Sequence, residues 1–110
     1  MTNLRAVTST LTLRIVHALW RGPLRFNAIE RAALAVHPPQ LSRHLKKMAR
    51  DGLITRCVVA LGPPAHIEYA LTPLGTTLAS PASELLGWVD EHADQVEAAR
   101  EHHRALSATA

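Results

Sequence analysis

Pro38–Arg56, PPQLSRHLKKMARDGLITR, is the stretch on which the reading of this chain turns. Leu41, Leu45 and Met48 recur at i, i+4 and i+7 and form one apolar stripe, while Gln40, Arg43, Lys46, Lys47 and Arg50 fall on the opposite face. The spacing predicts a helix with one face in a core and the other cationic. Its two leading prolines are tolerated because the first helical turn has no intrahelical partner for its amides, and Gly52 marks its end. A shorter helix over Arg25–Ala33, with Phe26 and Ile29 inward, precedes it across a tight connection. That order is the spacing of a helix-turn-helix, whose second helix fits the DNA major groove.

Outward from this pair, Ser9 or Thr10 can cap a helix running through Leu11, Ile15, Ala18 and Leu19, which Gly22 and Pro23 terminate. Downstream, Leu53–Leu61 is rich in apolar and β-branched residues, Gly62-Pro63-Pro64 is a turn signal, and His66–Leu71 alternates Ile67, Tyr69 and Leu71 with His66, Glu68 and Ala70. Two strands around a short tip make a wing. Thr72-Pro73 starts a short helix to about Ala79, and beyond Pro81 a last helix is expected to reach about Ala105, with a frayed tail over Ser107–Ala110. The expected fold is mainly α with a small β-wing (α+β), a winged helix-turn-helix with helical dimerisation elements at the termini. Residues 1–110 form a single domain, with a core over 9–80 and a C-terminal dimerisation helix over 82–106.

The net charge of +3 hides a segregation. Residues 1–60 hold ten Lys/Arg against two acids, Glu30 and Asp51, whereas residues 61–110 hold two Arg against seven acids. A cationic half concentrates near a polyanion through counterion release, and an acidic half must face elsewhere. One cysteine, Cys57, rules out an intramolecular disulfide, and no Cys-x-x-Cys cluster is present for a structural zinc. No run approaches the roughly 20 apolar residues of a membrane span, and the N-terminus has no cleavable leader pattern, so a soluble cytoplasmic protein is expected.

The last helix carries a second signal. Leu85, Val89, His92, Val96, Ala99, His103 and Leu106 follow alternating spacings of four and three residues, a seam of the coiled-coil type. Such a stripe could pack back on the chain's own core. A helix this long outruns a domain of this size, so the seam is read as a homodimer interface.

Three ordered blocks, LRIVHALWRGPLRFNAIER, LSRHLKKMARDGLITR and PPAHIEYALTPLGTTL followed by Trp88, resemble the HxlR group of bacterial winged-helix regulators, related to MarR proteins. The specific elements are Arg25-Phe26, Asp51-Gly52-Leu53, Glu68-Tyr69, Leu71-Thr72 and Gly75. The resemblance covers about residues 11–88. It implies a homodimer on an inverted-repeat promoter site, recognition helix in the major groove, wing beside the minor groove and dimerisation through the terminal helices. It also implies a redox-sensing Cys near the N-terminus in many relatives, and residues 1–13 here contain none. Ser9, Thr10 and Leu11 stand where relatives carry Gly-Lys-Trp.

On the recognition helix, Gln40, Ser42 and Arg43 lie in the N-terminal half, where Arg can bond guanine O6 and N7, Gln adenine N6 and N7, and Ser either. Lys46, Lys47 and Arg50 suit phosphates, which set register without reading sequence. The bland alternative is a solvated charged face. His44 flanks the apolar stripe and could do either job. Arg25 and Arg56 are phosphate candidates, Arg56 being equally able to pair with Asp51 or Glu68. The wing tip has no Arg or Lys, which leaves backbone groups or His66 to contribute there. Cys57 beside Arg56 could be thiolate-prone, but its Val58 and Val59 neighbours suggest a buried strand thiol.

Asp90, His92 and His103 resemble in spacing the metal site on the C-terminal dimer helix of ArsR-type sensors. The fourth ligand expected there falls at Leu106, and an interfacial His pair without metal is the favoured reading. No cofactor is expected. Ser42, His44 and Asp51 project from one continuous segment and cannot form a triad, and no nucleophile elbow, phosphate loop or His-Glu-x-x-His is present, so the chain is not read as an enzyme. The sequence thus points to a dimeric DNA-binding regulator, most simply a repressor; any pocket for a small-molecule effector, itself unidentified, is expected between the core and the dimer helices. The rivals are a metal-responsive regulator and a winged-helix protein-interaction module without DNA affinity.

Overall fold

A computed structural model describes residues 9–34 and 37–109. The helices are α1 (Thr10–Leu19), α2 (Phe26–Ala32), α3 (Pro38–Arg50) and α4 (Pro73–Thr109), and strands β1 (Ile54–Ala60) and β2 (His66–Leu71) lie between α3 and α4. The expected N-terminal dimerisation element falls on residues outside those described.

Helix boundaries follow local chemistry. The Ser9 hydroxyl accepts from Thr12 N at 3.2 Å and caps α1. At the end of α3, Gly52 takes φ +80, donates to Ala49 O at 3.1 Å, and is followed by Leu53 N donating to Met48 O at 3.0 Å. This paired closure is the Schellman arrangement, and it turns the chain directly from α3 into the wing. Leu34, in the connection after α2, holds φ +56 without being glycine and is exposed. A β-carbon there costs roughly 1–2 kcal/mol.

The core gathers Leu13, Ile15, Val16 and Leu19 of α1, Ile29 of α2, Leu41, Leu45 and Met48 of α3, Leu53 and Ile54 at the root of the wing, and Ala79 and Ala82 of α4. The predicted stripe of α3 is therefore its buried face. β1 and β2 pair antiparallel from Ile54↔Leu71 to Ala60↔His66, with an irregularity between Val58 and Ala60. Leu24 bridges the other edge of β2 through Tyr69, with bonds of 3.0 and 2.8 Å.

The C-terminal half differs from the expected pair of helices. α4 runs unbroken for 37 residues with Pro81 inside it. Proline removes the bond that residue 81 would donate to Thr77 O, yet Ala79 and Ala82 on either side are buried at 2% and 0% exposure. Packing of two small side chains against the core holds the helix through the missing bond. Gly75 makes the approach possible, because a β-carbon there would lie 2.0 Å from Leu53 O. Thr72 completes the joint: its hydroxyl donates toward Gly52 O at 2.6 Å and accepts from Gly75 N at 2.9 Å.

After Leu86 the helix leaves the core. Its 37 residues span about 55 Å at 1.5 Å each. The radius of gyration is 17.5 Å, well above the roughly 13 Å of a compact chain of about this length. Cys57 corrects a second expectation, since it is exposed rather than buried. Only Ile54 of β1 reaches the core, and a two-stranded hairpin has no second layer to cover Val58 and Val59, so apolar neighbours in sequence do not make a buried site.

Candidate nucleic-acid interface

α3 presents Gln40, Arg43, Lys46 and Arg50 to solvent, with Ser42 and Lys47 half-buried. Among the described residues no hydrogen bond or ion pair engages these six side chains; the acid contacts found are Glu68 beside His66 and Glu97 with Arg104. Four cations thus stand on one helix with no acid committed to them. A face built only for solvation would carry acids among its cations.

His44, left open by the sequence, is an internal fastener. Its Nε2 lies 2.7 Å from Thr12 Oγ1, which joins α3 to α1. Burial holds its imidazole below the ordinary histidine range, and the nearby Lys47 charge adds to the same direction. The neutral form fits that setting.

Arg25 and His66 are brought together, although 41 positions separate them. The Leu24–Tyr69 bridge sets the segment before α2 alongside β2, so Arg25 Nε donates to His66 Nε2 at 2.6 Å and Arg25 Nη2 also contacts Nδ1 of the same ring. Glu68 Oε2 is 3.4 Å from His66 Nε2. Two of the predicted contact residues are therefore one unit at the wing–helix junction, with the Glu68 carboxylate, considered in the sequence only as a partner for Arg56 and as part of the resemblance, beside them. Arg25, Phe26, Asn27, Ala65, His66, Ile67 and Tyr69 line an open cleft of about 270 Å³ there. Arg56 is exposed, faces Tyr69 in the strand register, and pairs with neither Asp51 nor Glu68.

Along α4, Leu85 and Val89 are about half exposed, His92 and Val96 are half-buried, and Ala99 and His103 are exposed. Trp88 and His92 stack at 4.5 Å, and His92 Nδ1 donates to Trp88 O at 2.8 Å. A shallow groove of about 460 Å³ runs over Val96, Ala99, Arg100, His103 and Arg104. Both clefts lie away from the expected effector position between the core and the seam. Among the described residues of one chain, no three His, Cys, Asp or Glu side chains converge as a metal site, Asp90, His92 and His103 included. No described helix is long and apolar enough to cross a membrane.

The chain matches the HxlR-like helix-turn-helix family over residues 6–97. It is 32% identical over 102 residues to YtfH of Escherichia coli K12, an uncharacterized HTH-type transcriptional regulator, covering 93% of this chain and 80% of that protein. The structure superposes on YtfH from Salmonella typhimurium with a TM-score of 0.79 at 34% identity, covering 89% of this chain and 87% of the other. With diamide-treated YodB from B. subtilis the TM-score is 0.63 at 27% identity, over 78% and 84%. A helix-turn-helix with a two-stranded wing, matched over most of its length, places the chain in the HxlR-like helix-turn-helix family of transcriptional regulators.

Proposed function

We propose that the protein is a homodimeric, sequence-specific repressor that works in the cytoplasm on an inverted-repeat operator. α3 lies in the major groove, with Gln40, Ser42 and Arg43 on base edges and Lys46, Lys47 and Arg50 on phosphates. Arg25, held by His66, and Arg56 extend the phosphate contacts on either side. The distal part of α4 pairs two chains through Leu85, Val89, His92, Val96, Ala99 and His103. The observation that carries the reading is the uncommitted cationic face of α3, docked by its opposite face to the rest of the helix-turn-helix.

The test separates reading from positioning. Arg43→Ala should cost about 1–3 kcal/mol per half-site and relax base preference, whereas Lys47→Ala should weaken all sequences alike and lower the salt slope. Equal losses on selected and random duplexes for both variants would overturn the division of labour along α3. Tight binding to a protein, with no affinity for any duplex at low salt, would replace the regulator by an interaction module.

A further inference from the structure

From Cys57 to Ile67 the wing carries no Asp, Glu, Lys or Arg. Leu61 at its tip is 87% exposed, Val59 54%, and Pro63 and Pro64 beside them are exposed as well. Exposed strand edges are commonly blunted with charge, and contiguous exposed apolar side chains mark a contact surface. Among the described residues, none of positions 57–67 belongs to the core or packs against it.

We propose that the wing tip is an apolar wedge for DNA, with Leu61, flanked by Pro63 and Pro64, entering the minor groove beside the half-site read by α3. The inference rests on the DNA reading of α3. Its geometry is continuous with that surface. Ala60↔His66 is the last register pair of the hairpin, and His66 is hydrogen-bonded to Arg25 at the start of α2. Residues 61–65 therefore project past the point where the wing touches the helix-turn-helix, with Arg25 on one strand's side and Arg56 on the other.

Charge agrees with that occupant. The tip has no carboxylate for phosphates to repel, and cations flank only its base. A cationic tip would seek the negative potential of a narrow A·T groove. Leu and Pro instead belong to the side chains that enter between base steps and partly unstack them. The wedge favours a flexible pyrimidine–purine step, and its contribution is insensitive to salt because it releases no counterions. Sequence preference then arises at a position that no hydrogen bond reads.

The experiment uses the full chain and a duplex selected by it from a random-sequence pool. Affinity against salt, bend by end-to-end energy transfer, and particle mass are measured for the unmodified protein, Leu61→Ser, the double variant Pro63→Ser, Pro64→Ser, and Arg43→Ala. Leu61→Ser should bind about tenfold more weakly, the scale of one lost base-pair contact, with an unchanged salt slope and a smaller bend. Replacing the flexible step beside the half-site by a stiff A-tract should weaken the unmodified protein similarly and Leu61→Ser little further. If Leu61→Ser and the proline variant bind within about twofold of the unmodified chain at the same bend, while Arg43→Ala loses affinity, the wedge falls and the reading of α3 stands. A change in particle mass without a change in bend assigns the tip to a second copy and also overturns the wedge. Failure of the unmodified protein to select any duplex removes both together.

Discussion

α3 and the distal half of α4 are written in the same grammar, an apolar stripe at spacings of three and four with polar residues around it, and they come to rest in opposite surroundings. Leu41, Leu45 and Met48 of α3 are 0%, 1% and 2% exposed, against 46% for Leu85 and 47% for Val89. A stripe states that a helix needs a partner. Whether that partner is in the same chain depends on reach: α1 and α2 lie within reach of α3, whereas α4 has run past every other element after Leu86.

Substitution within each stripe should separate the two cases most sharply. Leu45→Ala should cost about 2–5 kcal/mol in unfolding free energy, since it empties a closed position in the core. Val96→Asp should leave the fold of a single chain in place by circular dichroism and lower the particle mass in light scattering, because it sets a charge at the seam. An unmodified chain that scatters as a monomer at micromolar concentration would end the comparison.

The two glycines of α4 sharpen it further. Gly75→Ala should destabilise by about 3 kcal/mol, since the new carbon meets Leu53 O at 2.0 Å, a backbone atom that cannot turn aside. Gly87→Ala, with nothing within 4 Å, should stabilise the helix by roughly 0.5–1 kcal/mol in thermal unfolding. Equal effects at the two sites would mean that α4 does not leave the core where described.

Much of this was legible from local pattern. The stripe of α3, its Gly52 stop, the Ser9 cap and the turn between the strands are decided by residues within a few positions of one another, and they fell close to where the sequence placed them. What escaped depends on distant partners. Pro81 reads as a helix break until Ala79 and Ala82 are seen against the core. Cys57 reads as buried because its neighbours are valines, yet burial needs a second layer that a hairpin lacks. The Arg25–His66 pair rests on the Leu24–Tyr69 bridge, and the role of His44 rests on Thr12 in another helix. The alternation in HIEYAL signalled a strand without saying which helix it would meet.

His44 offers a pH test on the buried side of the comparison. Its folded-state value lies below 6.5, so the unfolded chain takes up the proton first as pH falls. The stability contributed by neutral His44 is complete above about pH 6.5 and is lost as pH falls through the folded value. His44→Gln should flatten that acid-side decline in denaturant titrations; an unchanged decline would sever the link. On the exposed side, zinc should shift operator affinity less than about threefold, under 1 kcal/mol. A larger shift that disappears in a His92→Ala, His103→Ala variant would turn the seam into a metal sensor.

The unbroken course of α4 makes it a lever. About 21 Å of helix separates Ala82, fixed in the core, from Val96 at the centre of the seam. In a dimer pivoting at Val96, a swing of roughly 10° would carry the core by about 3.7 Å, near the 3.4 Å between successive bases. On the proposed dimer, the angle at which two such rods cross would set the distance between the two copies of α3, and a change in that angle would change the half-site spacing they span. The one proline inside the rod, Pro81, lies within the packed segment, between Ala79 and Ala82, and the stretch beyond Leu86 has none.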